Sequence, residues 1–126
     1  MCSNEISELI KALCLAKKAF KPITKDGKNP FLNTKYVTLD AIINATKDAL
    51  SDNGIVIMHH QEDEADKIFL VTEIIHESGQ LKSTKTCMNE YMTVSLNDKG
   101  NAKVTPIQIF GATMAYLRRY HIGGLL

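Results

Sequence analysis

Three strand-like stretches follow one another through the middle of the chain, with helical patterns on both sides, and that order restricts the fold more than any other feature. Ile55 to Gln61 is the first stretch, and Glu62-Asp63-Glu64-Ala65-Asp66 turns the chain. Lys67 to His76 is the second, ending in Glu77-Ser78-Gly79-Gln80. Leu81 to Thr93 is the third, where Thr84, Thr86, Tyr91 and Thr93 favour β structure. Strands grouped between helices, rather than alternating with them, predict an α+β domain built on an antiparallel meander of about three strands.

The flanking segments carry helical period. Ile6, Leu9, Ile10, Leu13, Ala16 and Phe20 recur at helical spacing, with Ser3 or Asn4 available as N-cap and Pro22 beyond the end. Residues 21–37 hold two prolines, Asp26-Gly27 and Asn29-Pro30, which predict a long loop or loose hairpin. Seventeen residues without clear period is long for a connection, so a functional loop is expected. Thr38 caps a second helix carrying Leu39, Ile42, Ile43, Thr46, Ala49 and Leu50 on one side, and Asn53-Gly54 stops it. After a polar loop at Asn97 to Asn101, Thr105-Pro106-Ile107-Gln108 starts a last helix. That helix is expected to run to about His121 and to end at Gly123-Gly124.

Composition narrows the class. With 126 residues, 44% hydrophobic and 23% charged, the chain fits one soluble globular domain, residues 1–126, and not a disordered tail or a disulfide miniprotein. Uncharged apolar runs such as Ile55 to Met58 are far too short to span a bilayer, and Met1 to Glu5 carries no secretory signal. Cys2, Cys14 and Cys87 have no metal-ligand spacing and read as free thiols of a reducing, cytoplasmic compartment. The net charge of +1 conceals blocks. Residues 11–35 hold seven lysines against Asp26, residues 51–78 seven acids against Lys67, and residues 79–126 six bases against two acids. Such segregation predicts a basic and an acidic face, whether or not a partner covers either.

Enzymatic readings find little support. No nucleotide-binding or common hydrolase motif occurs. His59 and His60 are adjacent on a predicted strand, so they point to opposite faces and cannot readily share a metal ion. Glu62, Asp63, Glu64 and Asp66 could attract a divalent cation, although a solvated hairpin tip suits them better. Neither catalysis nor a cofactor is expected.

The last helix says more. The chain's only arginines, Arg118 and Arg119, are adjacent in a protein with thirteen lysines. Arginine presents a planar fork matched to phosphate oxygens, whereas lysine is a mobile point charge. On a helical wheel Ile107, Phe110, Met114, Leu117 and His121 form the apolar arc. Arg118 falls inside that arc beside Gly111, and Arg119 lies with Gln108, Ala112 and Ala115 on the polar side. Phosphate contact and a buried ion pair are both compatible with this placement. In the loop, Lys28-Asn29-Pro30-Phe31-Leu32-Asn33-Thr34-Lys35-Tyr36 interleaves amides, bases and two aromatic rings, a composition suited to single-stranded nucleic acid or to anchoring the loop on the core.

Together these segments resemble the Erf family of phage single-strand annealing proteins. Asn29 to Ile42, NPFLNTKYVTLDAI, is similar to that family's N-P-F-[FL]-x-S-K-Y-A-x-L-x-x-I signature, and Gln108 to Tyr120, QIFGATMAYLRRY, to its Q-x-x-G-S-x-x-T-Y-A-R-R-Y helix. The turn His76 to Gly79 lies between them in the family's order, and the resemblance covers roughly residues 6–126. Ala112, Ala115 and Leu117 depart from the usual serine, threonine and alanine, while Lys35, Tyr36, Arg118, Arg119 and Tyr120 are kept.

The resemblance implies ATP-independent annealing by a homo-oligomeric ring or filament inside a bacterial host cell, with single-stranded DNA as partner. It implies phosphate contacts at Arg118 and Arg119, support from Lys35 and Lys28, and lining or stacking by Tyr36 and Tyr120. It also implies an acidic tail, expected to be missing beyond Leu126, that contacts a host single-strand-binding protein. Lys82 and Lys85, three apart on a strand, are expected on opposite faces, so at most one joins a groove. The rival reading is a non-catalytic interaction module that assembles through its charged faces.

Overall fold

The computed structural model describes residues 1–23, 27–29, 34–92 and 106–126, and for 27–29 and 34–36 the backbone only. Two-residue and four-residue turns fold the central strands onto their sequence neighbours. β3 (Ile55–Glu64), β4 (Lys67–His76) and β5 (Leu81–Cys87) form an antiparallel sheet in the order β3-β4-β5. The register runs from Ile55 opposite His76 to Glu64 opposite Lys67, and from Phe69 opposite Cys87 to Ile75 opposite Leu81. α1 (Ser7–Lys18), α2 (Leu39–Asp52) and α3 (Pro106–Leu125) pack on the sheet face that carries Ile55, Leu70, Thr72 and Ile74. The arrangement is the expected α+β order. A separate two-stranded hairpin, β1 (Gly27–Asn29) with β2 (Thr34–Tyr36), gives the long connection its loose-hairpin form.

Period-3.6 and period-2 patterns meet in two core clusters. Leu9, Ala12 and Ala16 of α1 pack with Ala49 and Leu50 of α2 over Ile55 and Ile74. At the other end, Leu70, Met88 and Leu117 pack together, each at most 4% exposed. Fully burying one such side chain contributes about 1.5–3 kcal/mol.

The caps show which local signals decided the ends. Thr38 caps α2, its hydroxyl accepting the Ala41 N–H at 3.1 Å. Gly54, at φ +69°, stops that helix as expected, and Glu77 donates its N–H to the Gly54 carbonyl at 2.8 Å. The left-handed conformation favours glycine there, and a Cβ, built 2.7 Å from the exposed Glu77 carboxyl group, would also displace that side chain.

Ser3 and Asn4 do not cap α1, whose N-cap is Ile6. The Gln80 side chain does so instead, its Oε1 accepting the N–H groups of Glu8 (2.7 Å) and Leu9 (3.1 Å) from the β4–β5 turn. Ser3 serves the sheet, because Met1 to Ser3 lie antiparallel along β5, with Cys2 opposite Lys82, and cover that part of an otherwise open edge.

Other boundaries differ from the expectation. β3 continues to Glu64, leaving only Ala65 and Asp66 in the turn, because Lys85 on β5 reaches across β4 to pair with Glu62 and Glu64. β5 ends at Cys87, where a single 3-10 turn, Met88–Glu90, drives Met88 into the core. α3 passes through Gly123 and Gly124 to Leu125, since Ile122 is buried and Leu125 and Leu126 pack on the first cluster. Tertiary packing outweighs the glycine penalty there. The expected cap Thr105, Phe31 and the polar loop 97–101 lie outside the described residues.

Candidate nucleic-acid interface

α3 is held to the sheet on one side and exposed on the other. Leu117 is buried against the Leu70 cluster, and His121, 6% exposed, bridges two strands. His121 Nδ1 lies 2.8 Å from the Thr72 hydroxyl on β4, and Nε2 lies 2.7 Å from the Thr86 hydroxyl on β5. The Thr72 hydroxyl also lies 2.7 Å from His59 Nδ1, giving a chain from β3 through β4 and α3 to β5. Burial, then the Arg118 charge, pushes His59 from 6.5 to about 4, and burial also lowers His121. Both rings are therefore neutral near pH 7.

The apolar arc read from the wheel holds at Phe110, Met114, Leu117 and His121, which face the sheet. Ile107 does not: it is 80% exposed. The wheel gives phase but not height, and a twenty-residue helix about 30 Å long carries its first turn past the sheet. Thr113 takes the place inside, its hydroxyl donating to the Ile109 carbonyl at 2.7 Å.

The two arginines part company. Arg119 lies over the rings of Tyr116 and Tyr120, its guanidinium carbon 5.5 and 5.3 Å from their centroids. The two rings, 4.8 Å apart and tilted by 50°, are about half exposed. A hydrogen bond between their phenol groups raises Tyr116 and lowers Tyr120, which Arg119 lowers further. Half-exposed Tyr91 is close enough to act electrostatically on Tyr116, which extends the aromatic face beyond the pair that Arg119 covers. Helical spacing makes Tyr116 and Tyr120 neighbours (i, i+4) with Arg119 between them.

Arg118, one residue and about 100° earlier, turns into a cleft between α2, β3 and α3. Its Nε is buried with no hydrogen-bond partner among the described residues, and none of those lining the cleft is an acid, so the buried ion pair allowed by the sequence is not found among them.

Of the remaining predicted residues, Lys28 pairs with Lys35 in backbone register across the β1–β2 hairpin, and Tyr36 pairs with Gly27. Their side chains lie outside the described residues. Lys82 and Lys85 do occupy opposite faces. Lys85 is engaged by Glu62 and Glu64 and lies over Phe69, which leaves it poorly placed to serve a groove. His60 points away from His59, toward Glu62 and Glu73 at 3.1 and 3.2 Å. Among the described residues no group of three His, Cys, Asp or Glu is placed to hold a metal ion, and no helix is long and apolar enough to cross a membrane. Sequence reasoning left Tyr116 and Tyr91 out of the interface, although the i, i+4 spacing of Tyr116 and Tyr120 around Arg119 was a legible signal.

The family model of the ERF superfamily matches residues 9–126, nearly the whole chain. No curated protein and no solved structure matches the chain.

Proposed function

The chain belongs to the ERF superfamily, and from that premise we propose that it is a phage DNA-recombination protein that binds single-stranded DNA and anneals complementary strands without ATP. The observation that carries the reading is the cation-and-tyrosine face of α3, where Arg119 lies over half-exposed Tyr116 and Tyr120. An exposed ring gives any base a stacking surface worth about 1–3 kcal/mol, and the guanidinium neutralises the adjoining phosphate. Lys28, Lys35 and Tyr36, on the β1–β2 hairpin, are the supporting contacts in this proposal.

Annealing then needs no hydrolysis. Charge neutralisation removes repulsion between strands, and base pairing supplies the driving force. Several copies assembled along one strand would add many weak sites into one strong one, which suits a homo-oligomer.

Fluorescence anisotropy of a labelled oligonucleotide at two salt concentrations, followed by addition of the complement without ATP, tests the reading. Salt-sensitive binding and accelerated duplex formation are expected. Arg119→Ala should weaken binding and lower the salt slope by about one phosphate contact, and Tyr116→Ala should weaken it with the slope unchanged. Absence of binding at low salt would overturn the proposal in favour of an interaction module.

A further inference from the structure

The cleft that receives Arg118 is a second site on the opposite flank of α3. Its volume is about 410 Å³, within the range of small-ligand pockets, roughly 300–1,000 Å³. Ile43 and Leu50 of α2, Val56 and Ile57 of β3 and Ile122 of α3 make its walls apolar. Among the described residues two cations, Arg118 and Lys47, line it, and no carboxylate does. A guanidinium Nε that is buried and unpartnered is costly, because the group loses water and gains nothing in return. The rim is open at Ile43, which lines the cleft and is 38% exposed. β3 is an edge strand, paired only with β4 among the described residues.

We infer that this cleft binds an extended acidic peptide segment carrying one bulky apolar side chain. The side chain fills the space over Leu50 and Ile122, and a neighbouring carboxylate pairs with the Arg118 fork, with Lys47 as the outer cation. An apolar ligand without charge would leave the Arg118 Nε unsatisfied. A nucleic-acid phosphate would satisfy it but leave the aliphatic walls open, and a base inserted there would be withdrawn from pairing. Charge and shape together select the acidic-apolar peptide, and the site is independent of the annealing reading.

The test uses the full chain and a fluorescent peptide, Gly-Ser-Asp-Asp-Asp-Leu-Phe, with a free terminal carboxylate, together with its amidated form and an Asn-for-Asp form. Saturable binding of the first peptide is expected. A loss confined to the amidated form assigns the terminal carboxylate to Arg118, and a loss confined to the Asn form assigns a side chain. Ile43→Glu, at an exposed rim position on α2, should lower peptide affinity at least about tenfold and leave single-stranded DNA affinity unchanged. Arg118→Gln should also lower peptide affinity about tenfold, with circular dichroism checking that the fold is kept. Equal binding of all three peptides, or binding indifferent to Ile43→Glu, would overturn the inference. So would displacement of the peptide by oligonucleotide together with loss of DNA binding in Ile43→Glu, which would make the cleft part of the DNA path. A chain that binds the peptide but no DNA would leave this site standing and remove the proposed function instead.

Discussion

Replacing His121 with leucine separates the hydrogen-bond chain from the packing around it. Leucine keeps most of the buried volume but removes the bridges to Thr72 and Thr86, at 2.8 and 2.7 Å. Each neutral hydrogen bond contributes about 0.5–1.5 kcal/mol net. Thr72 keeps His59 as a partner, while Thr86, half-buried, loses the partner described for it. His121→Leu should therefore cost about 2–3 kcal/mol. For a domain of this length that lowers Tm by roughly 6–15 °C.

The same chain predicts how stability follows pH. Unfolded histidine takes up a proton near 6.5, whereas folded His59 does so near 4 and folded His121 below its ordinary value. Between these values the unfolded state binds more protons. Stability is then full above about pH 6.5 and falls as the pH drops toward 4. The His59 ring is only partly buried, so its share, discounted for screening, is about 1–2 kcal/mol. Urea titrations of both proteins from pH 4 to pH 8, followed by circular dichroism, check both statements. In His121→Leu the acid-side slope should be shallower. A variant within 0.5 kcal/mol of the parent, with an unchanged pH profile, would refute the claim that this chain fastens α3 to the sheet.

Two further substitutions probe the core and the long-range cap. Leu70 is 0% exposed between the sheet, Met88 and Leu117, so Leu70→Ala should cost about 3–4 kcal/mol, seen as a lower urea midpoint with the slope m preserved. Gln80→Ala should cost about 1 kcal/mol. It should also speed amide exchange at Glu8 and Leu9 while the strand amides of β4 stay protected, and unchanged exchange at those two amides would refute the cap.

What the chain announces locally, it also forms. Thr38 and Gly54 act within one turn of where they stand, and the three-strand order follows from short polar turns that leave each strand beside its neighbour. The misread ends share one cause: a partner distant in sequence. Gln80 caps α1 from 72 residues away, which no window around Ser3 could reveal. Lys85 fixes the length of β3 from two strands over, and the first cluster holds α3 helical through two glycines. Ile107 fails for a different reason, because periodicity reports direction around a helix and says nothing of where the sheet beneath it stops.

The arginine pair shows how far helical phase carries a functional reading. Adjacent residues invite a single role, and two guanidinium groups side by side suggest one phosphate site. Yet the 100° step between them is about a quarter turn, and on a helix packed along one side that is enough to divide two surfaces. Arg119 falls on the solvent side, where two tyrosines one turn apart meet it, while Arg118 falls at the seam with α2 and β3. Leu117 and His121 set that division, because burying both fixes the rotation of α3 about its axis. The residues that bind α3 to the sheet therefore decide what each arginine can touch. His121→Leu should accordingly disturb both surfaces at once, whereas Ile43→Glu and Tyr116→Ala should each disturb one.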